Sequence, residues 1–252
     1  LFKWIKNYWG TIIILLTIIV VYELITDIGQ VLEPVLFPGL SKIIPALIKS
    51  LPELRNGLIS SLGLLIPSYA LALILGISLG VTIGWYEPLR KNFSPIFHGL
   101  SPIPPTLYIP YAITILPTFW LSSAFIIFIG SFWPILNGTI HGVRLIEDKY
   151  LDNARALGLK GIKLLRKIVL PAALPMIFSG AGTALVFSFV LLTVAEMFGA
   201  KSGLGHFIQY YADFSEYDKV LAGLIAMSFV IILIMSCYEL LKKKMLYWTS
   251  KR

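Results

Sequence analysis

From Leu58 to Trp85 the sequence runs for 28 residues without one charged side chain. Few folds accommodate such a run. A helix of roughly 20 apolar residues spans the hydrocarbon of a bilayer, and a longer one spans it with tilt. The run is one of several. Trp9–Ile25, extended by Tyr8 and Thr26, is a second. Phe93–Leu116, Phe119–Ile140, Pro175–Phe198 and Val220–Leu241 follow the same pattern. Only 13% of the chain is charged, about half the usual share of a soluble domain. The sequence therefore predicts an all-α integral membrane domain, a single unit over residues 1–252. It has six transmembrane helices at about 8–26, 58–85, 93–116, 119–140, 175–198 and 220–241.

The first run begins after Lys3 and Lys6, as a secretory leader does. Its apolar core is too long, and no small-residue cleavage site follows, so it is expected to stay as a span. Trp4, Tyr8 and Trp9 stand at its start in the manner of interfacial aromatics. Residues 35–57 break the pattern with Pro38, Pro45 and Pro52. Ile43, Ile44, Leu47, Ile48 and Leu51 recur there at helical spacing. Two readings fit: an amphipathic helix lying on the external surface, or a plain packed loop. In the second span Gly76, Gly80 and Gly84 are spaced by four and share one face, which lets another helix backbone approach closely.

The third run carries Pro95, Pro102, Pro104, Pro105 and Pro110. Ser101–Thr106 cannot be regular helix, because each proline removes a donor and clashes with the preceding turn. It either lies near a membrane face or lines a wet path, where irregular backbone is tolerated. Polar residues inside spans are the default path candidates. With the prolines Pro102, Pro104 and Pro105 they give Tyr108, Asn137, Thr183, Ser188 and Glu196 as candidate translocation residues. Glu196, near the outer end of its span, reads first as a structural hydrogen-bonding or interface residue and second as a substrate contact. His98, His141 and His206 read as structural or interfacial. Cys237 reads as a small buried apolar side chain, and a lone cysteine forms no intrachain disulfide. The stretch Gly203–Tyr211 is expected to form a short re-entrant or surface helix.

Six spans put both termini on one side. That side then holds 16 of the 21 Lys and Arg residues, among them Arg90, Lys91, Arg144 and Lys242–Lys244, while Lys42, Lys49, Arg55, Lys201 and Lys219 face the other. Short loops rich in Lys and Arg stay in the cytoplasm, so both termini are expected there. The net charge of +8 is thereby explained by topology, and no nucleic-acid partner is needed.

The longest polar interval, Glu147–Pro171, lies on that side. Read as helix, Tyr150, Ala154 and Leu157 share a face. The small Ala154 and Ala156 leave room for a partner, and Gly158 can end the helix in a left-handed conformation. A basic amphipathic segment follows, with Lys163, Arg166 and Lys167. Such an elbow either docks into a groove on a soluble protein or rests on anionic head groups.

At these residues a resemblance becomes visible. Asp152-Asn-Ala154, three residues, Gly158, nine residues and Ile168-Val-Leu-Pro171 resembles the EAA motif of ABC importer membrane subunits. Asp replaces the motif's Glu at 152, and Asn its first Ala at 153. Ser101-Pro-Ile-Pro-Pro-Thr106, Phe132-Trp-Pro-Ile-Leu-Asn137, Leu170-Pro-Ala-Ala-Leu-Pro175, Ala195-Glu-Met-Phe-Gly-Ala200 and Ser202-Gly-Leu-Gly205 are similar to its nitrate, sulfonate, taurine and bicarbonate branch. The resemblance implies a type I importer fold in a bacterial-type cytoplasmic (inner) membrane. It implies a second copy of the permease, two ABC ATPase subunits and an external substrate-binding protein as partners. Asp152, Asn153, Ala154, Arg155, Gly158, Leu170 and Pro171 would couple the chain to the ATPase. The sequence contains no G-x-x-x-x-G-K-[ST] phosphate loop, so this chain is expected to bind no cofactor and to be no enzyme. ATP and Mg belong on the partner. The rival reading is an ion-coupled secondary carrier, which would normally show intramembrane ionisable groups and internal repeats.

Overall fold

The computed structural model describes residues 2–29 and 31–249, with side chains from Trp9 onward. Lys3, Trp4, Lys6 and Tyr8 at the start of the first run, and the basic Lys251 and Arg252 counted with the termini, lie outside the described side chains. Among the described residues five helical stretches are long and apolar enough to cross a membrane: Trp9–Ile28, Leu40–Trp85, Phe119–Arg144, Gly161–Met197 and Tyr217–Met245.

Helix α1 (Phe2–Glu23) continues into a π-turn at Leu24–Ile28. Most of its described apolar side chains stand exposed, Ile14, Ile18 and Val20 among them. It is tied to the rest at its end. Tyr22 donates its hydroxyl to the Pro38 carbonyl at 2.8 Å, and the amide of Ser41 donates to Asp27 at 3.1 Å.

Helix α2 (Leu40–Trp85) is one 46-residue helix that carries Pro45, Pro52 and Pro67 inside it. The sequence reading separates an external segment at 35–57 from a span at 58–85; the structure joins them. The reason lies in tertiary packing. Leu54 sits in a cluster with Leu204 and Phe207, and Gly57 lies against the backbone of Gly203. Those contacts hold the outer turns helical across prolines that would break an isolated segment. At 1.5 Å per residue α2 is about 69 Å long, far beyond the ~30 Å of hydrocarbon.

Helix α5 (Phe119–Arg144) is started by Thr118, whose hydroxyl accepts the Leu121 amide at 3.2 Å. It packs along α2 on the Gly76, Gly80 and Gly84 face. A first side-chain carbon there would lie 2.7 Å from Ile135, 2.6 Å from Thr139 and 2.9 Å from Val143 respectively. The partners advance by four as the glycines do, so α2 and α5 run parallel. Trp85 and Arg144 therefore share one end of the bundle, here called the basic end. Phe119 lies at the opposite end, its ring against Gly199.

A chain that leaves α2 at the basic end must return to the opposite end before α5 begins. It does so in pieces: α3 (Glu87–Leu100), a 3-10 turn at Pro105–Tyr108, and α4 (Ile109–Ile115). The continuous span expected at 93–116 is therefore replaced by a broken one. Pro102, Pro104 and Pro105 are the physical reason, since none can donate to the preceding turn.

Past Arg144 come the short helices α6 (Asp148–Ala156) and α7 (Gly161–Leu164), then a π-turn at Leu165–Val169. Helix α8 (Leu170–Met197) follows. It begins five residues earlier than the Pro175 of the sequence reading and continues the π-turn without a break, so that Pro171 falls at their join. α8 runs antiparallel to α5, with Gly180 on Pro134 and Gly138, and Gly142 on Ala173. Helices α9 (Leu204–Asp213) and α10 (Tyr217–Met245) complete the chain. Cys237, expected to be buried, is exposed on α10.

Candidate functional site: a polar elbow and a buried carboxylate

The elbow at the basic end is built from the stop signal of α6. Gly158 has φ +80°. The Leu159 amide donates to the Ala154 carbonyl at 3.0 Å and the Gly158 amide to the Arg155 carbonyl at 2.9 Å. These are the two hydrogen bonds of a Schellman cap, which needs a left-handed residue at Gly158's position. A side chain at Gly158 would meet nothing within 4 Å, so the glycine is there for its backbone and not for space.

The cap aims the chain so that α6 has an inner and an outer face. Leu151 packs on a cluster of Val143, Val169 and Ala173, the basic ends of α5 and α8. Ala154 is only 3% exposed. The sequence puts Ala154 on one face with Tyr150 and Leu157, open to a partner; the structure turns it inward. The pair Leu151 and Ala154, three apart, marks the buried stripe, a spacing that could have shown this. What the elbow presents outward is Tyr150, Leu157 at 82% exposure, and Ile162. Asp152 and Arg155 are also exposed and form an ion pair at 2.9 Å; Asn153 stands beside them. Leu170 and Pro171 are half-buried at the root of α8, next to fully buried Val169 and Ala173. The seven coupling candidates thus divide. Asp152, Asn153, Arg155 and Gly158 are on the surface, while Ala154, Leu170 and Pro171 tie the elbow to the spans.

A second constellation sits at the opposite end. Glu196, in the last turn of α8, is 1% exposed. Ser61 of α2 donates its hydroxyl to one carboxylate oxygen at 2.6 Å, and the Gly205 amide donates to the other at 2.7 Å. The Leu204 amide donates to the Ser61 oxygen at 2.9 Å. Glu196 and Ser61 together therefore cap α9, where a carboxylate also suits the positive end of the helix. Gly203, at φ +138°, lies so close that a first side-chain carbon would be 2.3 Å from the Glu196 carboxyl carbon. The Ser202-Gly-Leu-Gly205 stretch is thus a seat for the carboxylate. Ser61 escaped the sequence reading, because nothing local marks a serine as the partner of a residue 135 positions away.

The other path candidates scatter. Ser188 is fully buried and donates to its own helix at the Leu185 carbonyl, 2.7 Å away. Glu196 also lines a cavity of about 420 Å³ with Ser60, Phe119 and Lys201. Thr183 is exposed on α8 and bonds the Ser179 carbonyl at 3.2 Å. Asn137 is half-buried on α5, and its carbonyl lies 2.9 Å from His141 Nδ1. Pro105 lies over Gly130 of α5, Pro102 and Pro104 are exposed, and Tyr108 packs on the cluster around Leu64 and Ile127.

Residues 43–247, which hold both constellations, match the family described as the binding-protein-dependent transport system inner membrane component. The chain belongs to this family. Members similar to it include a Methanocaldococcus jannaschii protein named for an ABC transporter permease. It is 31% identical over 219 residues, covering 84% of this chain and 81% of that one. A Bacillus subtilis protein named for an aliphatic sulfonates transport permease is 33% identical over 72% of this chain and 67% of its own. The bicarbonate transport system permease protein of Synechococcus elongatus is 37% identical over 60% of this chain; the chain spans only 54% of that relative. Among solved structures, the inward-facing MetNI methionine ABC transporter superposes with a TM-score of 0.66. It is 19% identical and covers 78% of this chain and 98% of its own, a likeness of fold. As a binding-protein-dependent transport membrane component, the chain is a multi-pass, all-helical transport subunit of the ABC permease kind.

Proposed function

We propose that this chain is the membrane-spanning half of an ATP-driven importer for a small oxyanion of the nitrate, bicarbonate or sulfonate type. Two copies form the path, two ATPase subunits sit on the elbows, and an external binding protein delivers the solute. The observation that carries the reading is the elbow. Its inner face is packed on the ends of α5 and α8, while Tyr150, Leu157 and Ile162 stand exposed. A soluble subunit gripping the outer face would move both spans as one body, since packed elements shift rigidly. ATP and Mg would be held by that subunit.

Six crossings with both termini in the cytoplasm of an inner membrane follow in this account. The parallel run of α2 and α5 supports the crossing by the broken α3–α4 segment, and the Lys and Arg distribution supports the orientation. Thr183, Asn137 and the Pro102–Pro105 break are the residues this account places along the path. Recognition then falls largely to the binding protein, since no Lys or Arg lies mid-span.

Uptake into vesicles tests the whole reading. The chain co-reconstituted with its ATPase and binding protein should accumulate labelled nitrate, bicarbonate or sulfonate only with ATP inside the appropriate compartment. Uptake driven by an ion gradient without ATP would refute it.

A further inference from the structure

The basic end carries a cavity behind the elbow. It has a volume of about 480 Å³ and lies between the α2–α3 turn and the α5–α6 turn. Three guanidinium groups from three elements line it: Arg90 of α3, Arg144 of α5 and Arg155 of α6. Two carboxylates, Glu87 and Asp148, line it too. Glu87 is engaged by Lys91 at 2.9 Å, and Arg155 by Asp152 at 2.9 Å. Arg90 uses one N–H on the Gly84 carbonyl at 3.1 Å, which leaves others of its five donors. Among the described residues neither Arg90 nor Arg144 forms a direct ion pair, and both face one space, in which three guanidinium groups outnumber the two carboxylates.

The position of the cavity narrows what fills it. Trp85, an aromatic of the kind found at head-group level, is in its wall. Helix α3, which leads away from it, buries no residue. Phe93, Ile96 and Leu100 lie along one exposed apolar side of α3. A ligand with an anionic phosphate at one end and apolar chains at the other matches both features. Basic pockets between helices on the cytoplasmic side are suited to such head groups, where arginine forms bidentate bonds to phosphate.

We infer that Arg90 and Arg144 hold the phosphate of an anionic phospholipid in this cavity, with its acyl chains along Phe93 and Ile96. The site lies against α6, so an occupied cavity would brace the elbow from behind. The inference needs only that the chain sits in a bilayer, and its test involves no ATPase.

The purified full chain, in mild detergent, is titrated with phosphatidylglycerol, with phosphatidylcholine and with inorganic phosphate, and bound lipid is counted by native mass spectrometry. One saturable phosphatidylglycerol per chain is expected, with phosphatidylcholine at least tenfold weaker. Arg144→Gln should weaken phosphatidylglycerol about fivefold and Arg90→Gln with Arg144→Gln about thirtyfold, as expected for basic residues near a membrane surface. Arg144→Lys should retain most of the binding. Among the described residues the Arg144 side chain forms no hydrogen bond or ion pair, so its single variant decides the matter if the double variant does not fold. Equal binding of both lipids, or no loss on Arg144→Gln, overturns the inference. Displacement of the lipid by millimolar phosphate also overturns it, because the site would then be one for free anions.

Discussion

Replacing Glu196 with alanine should loosen α9 before it affects anything else. The carboxylate accepts from Ser61 Oγ and from the Gly205 amide, and it is buried. Truncation leaves the Gly205 N–H without an acceptor, which costs about 1–3 kcal/mol for a buried donor. The Ser61 hydroxyl proton also loses its acceptor, although its oxygen still receives the Leu204 amide at 2.9 Å. Taken together a local loss of about 2–4 kcal/mol is expected. Amide exchange at Leu204–Ile208 reads it directly, because local opening follows local stability. Exchange there should accelerate by roughly thirty- to several-hundred-fold. The amides of α10 beyond Met227 should be unchanged. Glu196→Gln should fall between, since one amide oxygen can still accept from Gly205. Exchange at Leu204–Ile208 unchanged by Glu196→Ala would refute the assignment of Glu196 as the cap of α9. It would return the residue to the list of groups free to meet a solute.

Two further perturbations probe the packing of the bundle and the elbow. Gly80→Val puts a carbon 2.6 Å from Thr139 Cβ at the α2–α5 contact; overpacking of about 1–3 kcal/mol should lower the melting temperature in detergent, whereas Gly63→Ala, which meets nothing within 4 Å, should not. Gly158→Ala meets no atom but must hold φ near +80°, so about 1–2 kcal/mol of backbone strain should speed exchange of the Gly158 and Leu159 amides more than fivefold and slow ATP-driven uptake, with the melting temperature little changed.

Much of the fold is written locally and was legible. Apolar runs locate the long helices, because lipid leaves the backbone no other way to satisfy its polar groups. The four-residue spacing of Gly76, Gly80 and Gly84 signals a close helix contact, and the structure puts α5 there. The spacing from Asp152 through Gly158 to Pro171 marks the elbow and its stop. What was not legible depends on contacts between distant residues. Pro45 and Pro52 read as breaks, yet α9 packs on α2 and keeps it helical through them. The partnership of Ser61 with Glu196 has no sequence signature. Ala154 looked like part of an open face because a helical face is legible in sequence while the side it turns to is not. The parallel run of α2 and α5 likewise appears only once the helices are packed.

The central claim is that an ATPase grips the outer face of the elbow. A photo-crosslinking residue placed at Leu157, in membranes containing the whole transporter, tests it against the same residue at buried Ala154. The account predicts an adduct of this chain with the ATPase from position 157, and little or none from 154. Equal yields at both positions, or no ATPase adduct from 157, would contradict it.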